Sequence, residues 1–192
     1  RQVGDFIDDI ERAIQSGGSH FTGTIVGNKT REFVLEVIDG QQRLTTTMLL
    51  LKSIQDSKSN TAKIGHLIRR GNAGNERLVL KPNREVESFY RRRIIENDDS
   101  ATPEVASHHS LVDAKALFDE WLMKDEVDAS IVLNVLLDKL FFILFLPPSD
   151  NEAGLMFEVI NNRGKSLSQL EKIKNYLIYF ATVNRKHSLR DE

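Results

Sequence analysis

The pattern of this 192-residue chain predicts an α+β fold: a small mixed sheet with helices, plus a helical subdomain. Three observations carry that prediction. Two β-rich runs stand near the N-terminus, the second followed at once by helical periodicity. A long helical stretch begins near residue 84. A third apolar run, Phe142-Ile143-Leu144-Phe145-Leu146, stops at Pro147-Pro148. The chain divides into an α/β part at 1–83, a helical subdomain at 84–141, and a return strand with C-terminal helices at 142–192 that complete the same domain. No internal repeat interrupts this order.

In chain order, residues 3–15 form an amphipathic helix, because Val3, Phe6, Ile7, Ile10, Ala13 and Ile14 share a face and Gly17-Gly18 follows. Strands follow at about 21–28 and 32–38, joined near Asn28-Lys29-Thr30-Arg31. A helix runs from about 41 to 57, then a loop through Ser57-Lys58-Ser59-Asn60. A short helix at 64–70 and a short strand at Arg77-Leu78-Val79-Leu80 flank the flexible run Gly71-Asn72-Ala73-Gly74-Asn75. Helices are expected at 84–96, 106–122 and 129–140, then at 151–161 and 168–183, with Asp150 capping the first of these last two.

The junction between the second strand and the next helix carries the clearest chemistry. Asp39-Gly40-Gln41-Gln42-Arg43 follows Phe33, Val34, Leu35, Val37 and Ile38 and precedes Leu44, Met48, Leu49 and Leu51. A strand that turns on a glycine into a helix presents first-turn N–H groups and the positive dipole end, which together suit a phosphate. Gly40 permits close approach. Arg43 stands in the first turn, where the dipole disfavours a cation, so a shared anion explains it. A plain strand–turn–helix joint with a surface arginine is the other reading, and the full five-residue run favours the first.

A second cluster is Phe157-Glu158-Val159-Ile160-Asn161-Asn162-Arg163-Gly164-Lys165-Ser166-Leu167. It ends one helix at Gly164 or an asparagine, and Ser166 or Ser168 caps the next. It reads either as a tight helix–helix turn or as a set of ligand-binding amides and cations.

The two segments together resemble the GmrSD-type restriction endonuclease N-terminal domain family, marked by its DGQQR motif. The supporting residues are Asp8 and Asp9 on the first helix, the strand Phe21 to Gly27, Asp39 to Arg43, and then Phe157, Asn161, Arg163-Gly164-Lys165, Leu167 and Lys174-Asn175-Tyr176-Leu177. The resemblance frames nearly the whole chain and is weak between about 60 and 140. It implies a ParB/sulfiredoxin-like sheet and a module that binds and hydrolyses a nucleoside triphosphate (GTP, ATP, UTP or CTP) with Mg²⁺. On this basis Asp39, Gln41, Gln42 and Arg43 are the candidate catalytic residues, with Asp39 the metal ligand. Gly40, Arg43, Thr45, Asn161, Arg163 and Lys165 are the candidate nucleotide-binding residues, with 161–165 facing 39–43 across one cleft. The resemblance also implies a modification-dependent, anti-phage restriction system, with DNA engaged through the full-length protein and cutting done by a separate nuclease domain or subunit. It leaves a homodimer open. Family members carry a Gln-Arg and an aromatic pair upstream of the first helix; a fragment starting at Arg1-Gln2-Val3 would bind nucleotide poorly if that segment contributes.

Composition narrows the alternatives. The 40% apolar and 28% charged fractions are those of a globular protein. No run approaches the ~18 apolar residues of a membrane span, and the first residues lack a secretory pattern. Zero cysteines exclude disulfides and thiolate metal sites and point to the cytoplasm. A net charge of −2 does not advertise nucleic-acid binding. Still, eight cations fall between Arg69 and Arg93, ending in Arg91-Arg92-Arg93. These three are the candidate nucleic-acid residues; a solvated helix with intrahelical ion pairs is the competing reading. No P-loop is present. His108-His109 are adjacent and diverge on a helix, which argues against a shared metal. Against hydrolysis stands one alternative: a non-hydrolysing, nucleotide-gated DNA- or partner-binding module resembling ParB clamps.

Overall fold

The computed structural model describes residues 2–31, 34–57, 61–72 and 75–147. The chain is α+β, as the sequence predicts. Its elements are α1 (Gln2–Ser16), β1 (His20–Arg31), β2 (Val34–Asp39), α2 (Gln41–Asp56), α3 (Thr61–Ile68), β3 (Arg69–Arg70), β4 (Arg77–Leu78) and α4 (Arg84–Phe89). A π-helical segment (Tyr90–Ile95), α5 (Ala106–Leu122), α6 (Ala129–Asp138) and β5 (Leu140–Phe145) follow. Strands are hydrogen-bonded in the order β2-β1-β5, with β3-β4 as a separate hairpin. The helices expected at 151–161 and 168–183, and Asp150, lie outside the described residues.

The chain forms two compact units, one of Arg1–Thr24 and Gly40–Ile143, the other of Ile25–Asp39 and Leu144–Glu192. The first holds the main hydrophobic core. α1 buries Val3, Phe6, Ile10 and Ala13, the three-and-four spacing that puts one helix face inward. Phe6 meets Phe118 of α5 edge to face, ring centroids 6.3 Å apart. α1 closes where Gly17, at φ 64°, donates its N–H to the Ala13 carbonyl at 3.0 Å. α2 is the central helix, packed against α3, α5, α6 and the π-helical segment. Its run Met48-Leu49-Leu50-Leu51-Lys52-Ser53-Ile54 is buried on every side.

Lys52 is the unusual member of that run, 4% exposed. It is held in an ion pair by Asp56 one turn on, and Lys115 of α5 lies 3.0 Å from the other Asp56 carboxylate oxygen. Asn97 Nδ2 donates to Asp56 at 3.1 Å, and Lys115 pairs in turn with Asp119 at 2.9 Å. Two cations and two anions thus tie α2 to α5, and the Asn97 amide ties them to the turn that follows the π-helical segment. Burial pushes the Asp56 carboxyl up, but the hydrogen bonds from Lys52, Lys115 and Asn97 outweigh it and hold it below its ordinary value.

The single helix expected at 84–96 is instead α4 continued by a π-helical turn. Asn83 caps it, its side chain accepting from the Val86 N–H at 3.2 Å. The i→i+5 bonding, seen in Glu96 N–H to the Arg91 carbonyl at 3.0 Å, stacks residues five apart. Phe89 and Tyr90 can therefore be buried together with Ile94 and Ile95. Arg69-Arg70, expected to end a helix at 64–70, instead pair antiparallel with Leu78 and Arg77. Likewise α6 stops at Asp138, and Leu140 already belongs to β5.

In the second unit, β1 and β2 are antiparallel, with Val26 opposite Asp39 and Gly27 opposite Val37. β1 is longer than expected. Asn28, Lys29 and Arg31, read from sequence as a connection, occupy ladder positions opposite Glu36, Leu35 and Val34. Backbone pairing overrides the turn preference of Asn28.

Candidate functional site

α2 begins at Gln41 because Gly40 takes φ 90° and ψ 7°, a left-handed conformation open to glycine at little cost. The first intrahelical bond runs from the Leu44 N–H to the Gly40 carbonyl at 3.1 Å. A glycine cap has no side chain to accept from the first turn, and no acid stands in that turn. The helix start therefore keeps its positive character.

Arg43 adds to it. Its Nη1 donates to the Thr24 carbonyl of β1 at 3.3 Å. Its stem and head lie against Gly23: a Cβ built on that glycine would stand 2.7 Å from Arg43 Nε and 3.0 Å from Cζ. The side chain is exposed, and among the described residues no carboxylate pairs with it. A guanidinium has five N–H donors. One hydrogen bond to a neutral carbonyl leaves Arg43 with its charge and with donors to spare for an anion.

Around it, Gln42 Oε1 accepts from Gln2 Nε2 of α1, and Gln41 is exposed. Thr45 donates its hydroxyl proton back to the Gln41 carbonyl and Thr47 to the Arg43 carbonyl, each at 2.9 Å. The Thr45 proton is thereby engaged within the helix, which leaves its oxygen as an acceptor. Asp39, half-buried, is the last residue of β2, opposite Val26. Asn161, Arg163 and Lys165 lie outside the described residues, as does the cleft in which they were expected to face 39–43.

The arginines of the π-helical segment are differently placed. Arg91 lies 3.8 Å from Glu87. Arg92 donates twice to one Asp98 oxygen, at 2.9 and 2.7 Å, and Arg93 pairs with Asp99. The Ser100 hydroxyl, then Arg92, hold the Asp98 carboxyl down at about 2. Beside them a small polar depression is lined by Arg69, Glu76, Arg77, Leu78, Arg91 and Glu96. Arg69 lies 3.6 Å from Glu76 and 3.9 Å from Glu96, so opposite charges alternate there. His108 is buried, stacked on Phe89 at 4.0 Å, with its Nδ1 accepting from the Glu104 N–H, while His109 is exposed.

Sequence reasoning missed Gly23, the Thr24 carbonyl and Gln2. Only Gly23 left a signal: a lone glycine inside a β-rich run marks a bulge or a close approach.

No helix among the described residues is long and apolar enough to cross a membrane. A comparison with curated proteins finds no match. A family model described as "GmrSD restriction endonuclease, N-terminal domain" matches residues 1–178, and the chain belongs to that family.

Proposed function

We propose that this chain is the nucleoside triphosphate-binding and hydrolysing module of a modification-dependent DNA restriction system. One observation carries the proposal: Arg43, in the first turn of α2, has no carboxylate partner among the described residues and stands beside a helix start capped by a left-handed glycine. Family membership supplies the restriction context.

In this reading Arg43 and the N–H groups after Gly40 bind phosphate oxygens. Gln41 and Gln42 orient phosphate oxygens or the attacking water. Asp39 is the residue for Mg²⁺. A single half-buried carboxylate fits that ion, which takes one or two carboxylates and completes its shell with phosphate and water. Bound there, Mg²⁺ would neutralise charge on the phosphates. On sequence grounds alone, Asn161, Arg163 and Lys165 are the further phosphate-binding side chains and Thr45 an oxygen acceptor nearby. DNA is engaged by the full-length protein; Arg91, Arg92 and Arg93 are candidate cations for it on sequence grounds, but each faces a carboxylate and so contributes little, and cutting belongs to a separate nuclease domain or subunit.

The test is phosphate release by the full-length protein, with GTP, ATP, UTP and CTP in turn, with Mg²⁺ or EDTA, with and without DNA. Mg²⁺-dependent release that Arg43→Ala removes is expected. Tight nucleotide binding with no release under any condition would replace this reading by the nucleotide-gated, ParB-like one.

A further inference from the structure

We propose that Gly23 is a positioning residue for Arg43: the side chain that β1 lacks at this point is the seat of the guanidinium. Its role in ligand binding rests on the phosphate reading of Arg43; the seat itself does not.

Gly23 stands between Thr22 and Thr24 in a strand otherwise suited to β-branched residues. A glycine there weakens a strand, so its presence needs a reason. Two observations supply one. The backbone at Gly23 has φ 126°, outside the range L side chains adopt readily. The position a Cβ would take is filled by Arg43, whose Nε, Cζ and Cδ would lie 2.7, 3.0 and 3.3 Å from it. The next residue, Thr24, turns its carbonyl to Arg43 Nη1. Gly23 thus admits the planar head and Thr24 sets its direction. The pair holds Arg43 in one orientation before any anion arrives, which lowers the ordering cost of binding.

Lysine would not serve in the same way. It has no planar head to lie on a bare strand, and its ammonium is a single point of charge. The seat therefore explains why the cation at position 43 is an arginine.

Double-mutant analysis decides the matter, with Gly23→Ala, Arg43→Ala and the double variant made in the whole chain. Two quantities are read: the melting temperature without ligand, and the affinity for inorganic triphosphate with Mg²⁺ by calorimetry. Part of the Gly23→Ala cost is backbone strain and persists in either background. The collision with Arg43 does not, so Gly23→Ala should lower Tm less when residue 43 is alanine. In the Arg43 background it should weaken triphosphate binding about tenfold or more, and the double variant should bind no more weakly than Arg43→Ala. Equal Tm losses in both backgrounds overturn the seat, and wild-type affinity in folded Gly23→Ala, where Arg43→Ala does lose affinity, overturns its role in binding. If Gly23→Ala does not fold, recovery of folding in the double variant supports the proposal, and no recovery overturns it. If Arg43→Ala alone binds triphosphate normally, the phosphate reading falls, while the Tm comparison still decides whether the seat exists.

Discussion

Arg43 and the trio Arg91, Arg92 and Arg93 are all exposed or half-exposed arginines near the ends of helical segments, yet their surroundings are opposite. Each of the trio faces a carboxylate: Glu87, Asp98 or Asp99. Arg43 faces a neutral carbonyl and a glycine. A guanidinium on a carboxylate has its field largely cancelled at a distance; one on a carbonyl is oriented but stays charged. Density of arginine along the sequence is thus a poor guide to where an anion would go. The trio is the denser cluster, and it is at the lone arginine that we propose the anion.

The sharpest way to break this comparison is to remove the charges in turn. Arg43→Ala should weaken triphosphate binding about ten- to hundredfold, the worth of a charge-assisted contact of about 1.5–3 kcal/mol. Fold and melting behaviour should persist, since the side chain is exposed. Replacing Arg91, Arg92 or Arg93 should leave nucleotide affinity within about twofold. Calorimetry on the four variants measures both arms, and similar losses throughout would erase the distinction.

Asp39 asks whether the charged site is also a chemical one. An acid beside a phosphate site repels the ligand unless a metal or a water intervenes. Asp39→Ala should therefore lower turnover by about tenfold or more while changing affinity less. Turnover and affinity measured separately, in Mg²⁺ and in EDTA, decide it; unchanged turnover removes Asp39 from the mechanism.

Between the two kinds of arginine lies a third arrangement, in which pairing is combined with burial. Lys52, Asp56 and Lys115 are shielded, so removing one partner costs more than it does for surface ions, because it leaves a charge out of water with fewer partners. Lys52→Met, which removes one partner and keeps the bulk, should cost about 2 kcal/mol, allowing for the partial exposure of Asp56. The Asp56 carboxyl ionises at lower pH in the folded chain than in the unfolded one. Its stabilisation is therefore complete above the ordinary aspartate value of 3.8 and is lost as pH falls through the lower folded value. Asp56→Asn should flatten stability against pH in that acid range, and denaturant melts at a series of pH values would show it. An unchanged slope would mean that the network stabilises only by packing.

These arrangements were unequally legible in the sequence. α1 and α5 could be bounded almost to the residue, because apolar spacing and flanking glycine or polar runs are local signals. The start of α2 at Gly40 was legible for the same reason. The π-helical turn was not, since Tyr90–Ile95 has the composition of an α-helix and only the pairing of buried residues five apart widens it. Arg69-Arg70 became strand because Arg77 and Leu78 lie opposite, a contact that helix propensity cannot register. Lys52 and Asp56 look like an ordinary surface pair until α5 covers them. Gly23 is the instructive case at the site. Its meaning depends on a side chain twenty positions away in another element, so the residue was visible and its reason was not.

The smallest expected effect concerns DNA, and it tests the paired side of the comparison. A cation that touches a phosphate releases counterions, and each such contact contributes about 0.9 to the slope of log K against log salt. For Arg91, Arg92 and Arg93 to act this way, each must leave or share its carboxylate. Arg92 has the most to give up, since two of its donors are on Asp98, whose carboxyl is held down at about 2. Replacing all three by glutamine in the full-length protein should therefore reduce the salt slope of DNA binding by less than one contact's worth. A reduction approaching three contacts, about 0.9 for each, would show that the arginines exchange their acids for phosphates. Ionic pairing in the free protein would then be a resting state rather than a final use of the charge.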